Sequence, residues 1–197
     1  MMNNQDEKQE KEKEASALVL EKLLNSRSII ISGEINQALA EKVSTQLLIL
    51  QEMSDEPIKL FINSQGGHVE AGDTIHDMIK FVKPRIIVIG TGWVASAGIT
   101  IYLAANKEDR YSLPNTRYMI HQPLGGFQGQ ATDIGIEAEE ILRMRKRINT
   151  IISEATGQPL EKIDKDTDRN YWLSSSDAVE YGIVNKVISK YDELENL

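Results

Sequence analysis

Acyl transfer by a serine requires a hydroxyl, a base to take its proton, a group to hold that base, and N–H donors for the oxyanion. Ser96 stands in Val94-Ala95-Ser96-Ala97-Gly98, directly after the β-type run Ile86–Ile89, where a helix should begin. Small neighbours let a substrate or a backbone come close, and a helix N-terminus offers unpaired N–H groups to a developing anion. The same pattern also suits a serine packed into a small-residue helix. It is not the G-x-S-x-G nucleophile elbow, because Val94 stands two residues before the serine.

Three histidines are candidate bases. His121 ends the apolar run Met119-Ile120 and precedes Gln122-Pro123, a strand-end placement suited to a catalytic group. His68 follows the Gly66-Gly67 turn and could line a pocket, so residue types leave it open beside His121. His76 lies one residue off the apolar register of its helix and is expected to face solvent. The three are too scattered for a zinc signature. Cysteine is absent, which excludes disulfides and thiolate metal sites and points to Ser or Thr as nucleophile.

The elements that must position these groups alternate. Strands are expected at Ser28–Ser32, ended by Gly33, at Ile58–Ile62, closed by Gly66-Gly67, and at Arg85–Ile89. Helices are expected at Ser16–Leu24, Asn36–Met53 and Val69–Val82, and from Ser96 to about Ala105. Short strands follow at Arg110–Ser112 and Arg117–Ile120. Thr132–Thr156 reads as one long helix, acidic in its first half and basic in its second, which complements the helix dipole; Gly157 and Pro159 stop it. Its basic run reads as a solvated face or subunit contact. Pro159–Asp168 is a short helix. Ser174 opens another, with Asp177 in capping-box spacing and Gly182 at its end. Ile183–Ile188 closes the pattern as a strand. Near-continuous apolar strands separated by helices indicate an α/β fold with a buried, largely parallel sheet.

The 197 residues suit one α/β domain over 16–197, preceded by a polar, disordered tail at 1–15. A net charge of -8 argues against nucleic-acid or acidic-membrane surfaces. Ile86–Asn106 is uncharged and long enough to span a bilayer, but its glycines, Ser96 and Thr100 suit a buried strand–turn–helix better. The tail lacks the apolar core of a signal peptide, so a cytoplasmic location is expected.

Five ordered motifs carry a resemblance: Asn63-Ser-Gln-Gly-Gly-His-Val-Glu-Ala-Gly72, the Ser96 segment, Met119-Ile-His-Gln-Pro-Leu-Gly-Gly126, Gln128-Gly-Gln-Ala-Thr132 and Ala178-Val-Glu-Tyr-Gly182. Together they closely resemble the ClpP family, proteolytic subunits of the Clp ATP-dependent protease, from about Leu24 to Ile188. The resemblance implies the ClpP/crotonase-like spiral of β-α-β units with a protruding long helix. It implies Ser96 as nucleophile, His121 as base, and the backbone N–H groups of Gly67 and Ala97 as oxyanion donors. The family's acid falls on Asn170, which can orient the base but carries no charge to stabilise an imidazolium. A weak catalyst, or one dependent on its assembly, is therefore expected. Gln65 and His68 depart from the family's usual turn, which suggests a loosened oxyanion loop.

The resemblance also implies two stacked heptameric rings enclosing the sites, fed unfolded protein by an AAA+ Clp ATPase. The hairpin at Gly125–Gln130 and the long helix are expected to interdigitate with the opposite ring, and Asp168-Arg169 matches residues that contact it. No P-loop is present, so ATP would belong to the partner and no cofactor is expected here. The polar tail departs from the family's apolar loop at the axial pore, which bears on ATPase docking. Two rivals are a regulatory or structural subunit that assembles with an active ClpP paralogue, supported by Asn170, and a crotonase-like acyl-CoA enzyme.

Overall fold

The computed structural model describes the backbone from Asn4 to Glu195 and side chains from Ala15 to Leu194. Helix α1 (Asn4–Asn25) leads into strand β1 (Ser28–Ile35), then α2 (Gln37–Met53), β2 (Ile58–Gly67), α3 (Val69–Phe81), β3 (Ile86–Ala95) and α4 (Ala97–Tyr102). After a 3-10 turn come β4 (Arg110–Ser112), β5 (Arg117–Ile120), α5 (Ala131–Thr156), α6 (Leu160–Asp166), β6 (Tyr171–Ser174), α7 (Ser175–Tyr181) and β7 (Lys186–Val187). Of the stretch read as a tail at 1–15, the backbone from Asn4 is helical and continuous with the expected Ser16–Leu24 helix; Met1–Asn3 lie outside the described residues. Its Lys, Glu, Gln and Ala are strong helix formers.

The fold is the expected mixed α/β arrangement. Strands β1, β2, β3, β4 and β7 lie side by side in that order, every pair parallel. α2 and α3 carry the chain from one strand to the next. Ile29, Ile31, Leu60, Ile62 and Val88 of the strands bury against Val43, Leu47, Leu50 and Ile75 of the helices, forming one core. β2 alternates buried Ile58, Leu60, Ile62 and Ser64 with half-covered neighbours, so the helix-covered face is the drier one.

Three strands run further than periodicity indicated. Gly33 does not end β1; at φ +81° it makes a bulge, with a register shift between Ser32 and Glu34, and pairing resumes to Ile35↔Gly67. β2 accordingly continues to Gly67. β3 continues to Ala95 because Gly92 takes φ +61° and lets the strand change partners. Its first half, Val88–Gly90, pairs with β4, and its second half, Trp93–Ala95, pairs with β5. β5 then pairs antiparallel with β6. This fork creates a three-stranded flap, β3–β5–β6, beyond the main sheet.

Other elements are shorter than expected. α4 stops at Tyr102, and the closing strand keeps only Lys186–Val187. The long helix α5 forms as expected, about 39 Å of it. Only Ile148, Asn149, Ile152 and Thr156, all near its C-terminus, are buried, so its first half stands away from the core with Ile136 and Leu142 exposed. Its basic run pairs within the chain: Arg143 with Glu139 and Glu140, Arg147 with Asp73, and Arg145 with Asp168. The capping box of Ser174 and Asp177 is present, and Gly157 and Gly182 end their helices in the left-handed conformation.

Candidate active site

The flap brings three strand ends to one edge. Ser96 follows β3, His121 follows β5, and Asn170 precedes the antiparallel β6, so all three lie on the same side of the register Ala95↔Met119↔Trp172. The Ser96 N–H donates to the Met119 carbonyl at 3.0 Å, fixing the turn against the strand that delivers His121. Ser96 itself adopts φ +55°, ψ -124°, a strained conformation for a residue with a side chain, costing on the order of 1–3 kcal/mol. The serine thus sits on a sharp strand-to-helix elbow although the glycine signature is missing.

His121 Nε2 lies 2.8 Å from Ser96 Oγ, and His121 Nδ1 lies 3.0 Å from Asn170 Oδ1. An amide oxygen accepts, so Nδ1 carries the proton and Nε2 is left with its lone pair toward the serine. The loop bearing Asn170 is held independently: Gln122 N–H donates to the Thr167 carbonyl at 2.6 Å, and Gln122 Nε2 donates to the Asp168 carbonyl at 2.8 Å.

Gly66 reaches the serine from β2, and Gly67 beside it packs on the β1 backbone at Ile35. A Cβ on Gly66, at φ +98°, would stand 2.5 Å from Ser96 Cβ, and one on Gly67 would strike the Ile35 carbonyl. Only glycine permits the loop to run this close. Ala97 opens α4, so its N–H has no acceptor within the helix.

The Gly66–Gly67 loop is tied down, against the expectation of loosening. Ser64 Oγ donates to the Gly33 carbonyl at 2.5 Å and accepts from Gly66 N–H at 3.0 Å. With its amide oriented to satisfy both groups, Gln65 donates to the Gly33 carbonyl at 3.3 Å and accepts from Glu34 N–H at 3.2 Å. These bonds anchor the turn to the β1 bulge and replace the rigidity of a proline.

The remaining histidines part from the site. His68 is exposed, with Nδ1 3.4 Å from Glu70 Oε2, and caps α3 by position only. His76 is buried, not solvent-facing, and its Nδ1 bonds the Thr100 carbonyl at 2.7 Å. Its helix packs against both α2 and α4, so it has two covered faces where the apolar register showed one. A small apolar cavity of about 20 Å³ opens beside Ser96 and His121, walled by Ile99, Ile120, Ile148 and Ile152. A groove of about 520 Å³ lies on the other side, between His121–Gly125 and Asp168–Asn170. Among the described residues no carboxylate or histidine cluster fits a metal. Asp168 pairs with Arg145 of the same chain, at 3.7 Å.

Residue spacing singled out Ser96 and left His121 and His68 open; the strand ends decide for His121. Of the glycine pair read as a turn, Gly66 is the residue that meets the serine. Gln65, expected to loosen its turn, instead ties it, and Gln122 ties the other flanking loop; an isolated glutamine has no pattern that shows its partner.

The arrangement can therefore deprotonate a serine beside an apolar cavity. The Clp protease family model matches residues 10–191. ATP-dependent Clp protease proteolytic subunit 3 from Rhizobium etli is 58% identical over 172 residues, 87% of this chain and 89% of that one. Two solved structures are similar throughout: ClpP1 from Listeria monocytogenes, at TM-score 0.82 and 64% identity, and an Asn-to-Asp mutant of the same protein, at 0.84 and 65%. Each match covers 89% of this chain and 99% of the other. An elbow serine bonded to a strand-end histidine, on a fold matched almost end to end by these proteins, places the chain in the Clp protease family.

Proposed function

We propose that this chain is a Clp-type serine endopeptidase subunit that hydrolyses peptide bonds of unfolded proteins. The observation that carries the reading is the Ser96 Oγ–His121 Nε2 contact of 2.8 Å, backed by Asn170 at 3.0 Å. His121 takes the hydroxyl proton through Nε2 as Ser96 attacks the carbonyl, then returns it to the leaving amine. The Gly67 and Ala97 N–H groups meet the oxyanion, and water hydrolyses the acyl-enzyme by the same route in reverse. Asn170 holds the ring and its tautomer. Being neutral, it leaves the imidazolium without a counter-charge, so the isolated subunit is slow.

The relatives' names supply the context: proteolytic subunits of an ATP-dependent protease. By family analogy the subunit assembles into heptameric double rings, with its sites inside, and takes substrate from an AAA+ Clp ATPase that spends the ATP. The expected hairpin at Gly125–Gln130 is an irregular segment without strand pairing, and exposed Leu124 and Phe127 beside it, with Ile136 and Leu142 on α5, would give a ring–ring contact an apolar surface. A cytoplasmic place fits this role, and no described helix is long and apolar enough to cross a membrane. Asn170 also favours a second reading, in which the chain chiefly completes rings with an active paralogue.

A fluorophosphonate probe tests the reading. It should label the parent protein at Ser96, and Ser96→Ala should lose both labelling and peptide cleavage while keeping particle size. Labelling that survives the substitution would overturn the assignment.

A further inference from the structure

The flap carries an aromatic strap one step behind the triad. Trp93 lies on β3, three residues before Ser96; Arg117 lies on β5, four before His121; Trp172 lies on β6, two after Asn170. In the register Trp93 pairs with Arg117, and Met119 with Trp172, so the three side chains share one face of the flap. The opposite face carries Val94, Tyr118 and Leu173, all buried in the core.

β3 and β6 are not neighbours; β5 runs between them. Two strand spacings are about 9.6 Å, yet the two indole centroids come within 6.4 Å at 11° between planes. The rings lean toward each other across β5. The Arg117 guanidinium stands 4.2 Å from the Trp172 centroid, adding the middle strand to the contact. Ala95 and Met119, on the same face, are buried. Each strand that presents a triad member thus contributes one member of the strap.

We propose that Trp93, Arg117 and Trp172 are positioning residues that hold the three strand ends in catalytic register. The proposal rests on the serine-peptidase reading above. Asn170 grips His121 by a single uncharged hydrogen bond at 3.0 Å, and no attraction between opposite charges pulls the ring into line. β6 is four residues long, and β5 is its one strand neighbour. Gln122 holds the loop ahead of Asn170 at Thr167 and Asp168, and so short a ladder leaves the β6 flank of Asn170 to be fixed by side chains. The strap supplies that restraint from the solvent face, where Trp93 and Trp172 remain about two-fifths exposed.

The full-length protein allows a direct test, because the chain has two tryptophans and both are in the strap. The parent should show a tryptophan exciton couplet in its circular dichroism, and either single Trp→Phe variant should lose it; a parent without the couplet overturns the proposal. Fluorophosphonate kinetics then separate binding from reaction. Trp172→Ala should lower the limiting labelling rate about 10- to 100-fold, the scale of an ångström-level misplacement, with the probe's half-saturation concentration unchanged. Trp172→Phe keeps a ring over β5 and should recover most of the rate. Phe81→Ala, which removes a ring exposed on α3, should label like the parent. An unchanged rate in Trp172→Ala, or no recovery in Trp172→Phe, overturns the proposal.

Hydrogen exchange gives a reading that does not need activity. In Trp172→Ala the Ser96 and Gln122 amides, bonded to Met119 and Thr167, should lose protection while the β1–β2 ladder keeps its own. Equal protection in parent and variant overturns the strap. If the parent itself is not labelled, the peptidase reading is what has failed, and the strap stands or falls on the exchange result.

Discussion

Asn170→Asp asks whether charge is what this triad lacks. The amide oxygen already sits 3.0 Å from His121 Nδ1, so the carboxylate enters without rearrangement and changes mainly the electrostatics. With charge centres about 4 Å apart, the attraction to a developing imidazolium is about 1 kcal/mol in bulk water and about 4 kcal/mol at an effective dielectric constant of 20. At 1.36 kcal/mol per decade, these bounds correspond to roughly fivefold and roughly a thousandfold faster acylation. The contact lies at an exposed edge in the single subunit, which favours the lower end, and enclosure within an assembly raises it. The reverse change in another serine protease costs about 10⁴-fold, which sets a ceiling. Because Gln65 and Ser64 already fasten the Gly66–Gly67 loop, the Ser96–His121–Asn170 contacts and not the loop should be limiting. The assay is the fluorophosphonate labelling rate and peptide turnover of both proteins, with particle size matched by sedimentation. Equal acylation rates in particles of equal size would refute the charge argument. Activation of both proteins alike by an added paralogue would then place the limit in ring geometry.

Gly66→Ala should abolish labelling, by at least about 100-fold, since its Cβ would stand 2.5 Å from Ser96 Cβ; labelling at the parent rate would show that the loop does not press on the serine. Tyr181→Phe removes a 2.7 Å hydrogen bond to the Asp166 carboxylate and should cost about 1.5–3 kcal/mol in urea unfolding; an unchanged midpoint and slope would contradict this. Burial raises the Asp166 carboxyl, but hydrogen bonds from Lys162 and Tyr181 outweigh it and hold the group below its ordinary 3.8. A depressed carboxyl stabilises the fold fully above that value, and the contribution is lost as pH falls through the lower folded value; Asp166→Asn should flatten this acid limb. If the subunit forms the proposed double rings, deleting Gly125 to Gln130 should leave folded single rings or smaller species, and unchanged double rings on sedimentation would remove this segment from the proposed contact.

Most of the elements, and Ser96 and His121 of the candidate site, are legible in the residues alone. Apolar periodicity located α2 and α3 to within a residue or two, because each buries a stripe that repeats with the helix, and charge polarity with the Gly157–Pro159 stop located α5. Turn chemistry located Gly157, Gly182 and the Ser174–Asp177 box, because caps are set by neighbours in the chain. Small residues around Ser96 and the strand-end place of His121 were visible for the same local reason. Tertiary structure decided the rest. The extensions of β1, β2 and β3 depend on glycines tolerating positive φ while a neighbouring strand pairs on both sides of the bend. His76 is buried because α4 covers a second face of α3, and a local register shows one face only. Gln65 is anchored by Gly33 and Glu34 of a strand far earlier in the chain, and Asn170 meets a ring 49 positions away, so neither contact leaves a period in the sequence. The serine's strained elbow likewise exists only once β5 has captured its N–H. Periodicity records which face of a segment is dry; it is the pairing of distant strands that brings an alcohol, an imidazole and an amide within hydrogen-bond reach of one another.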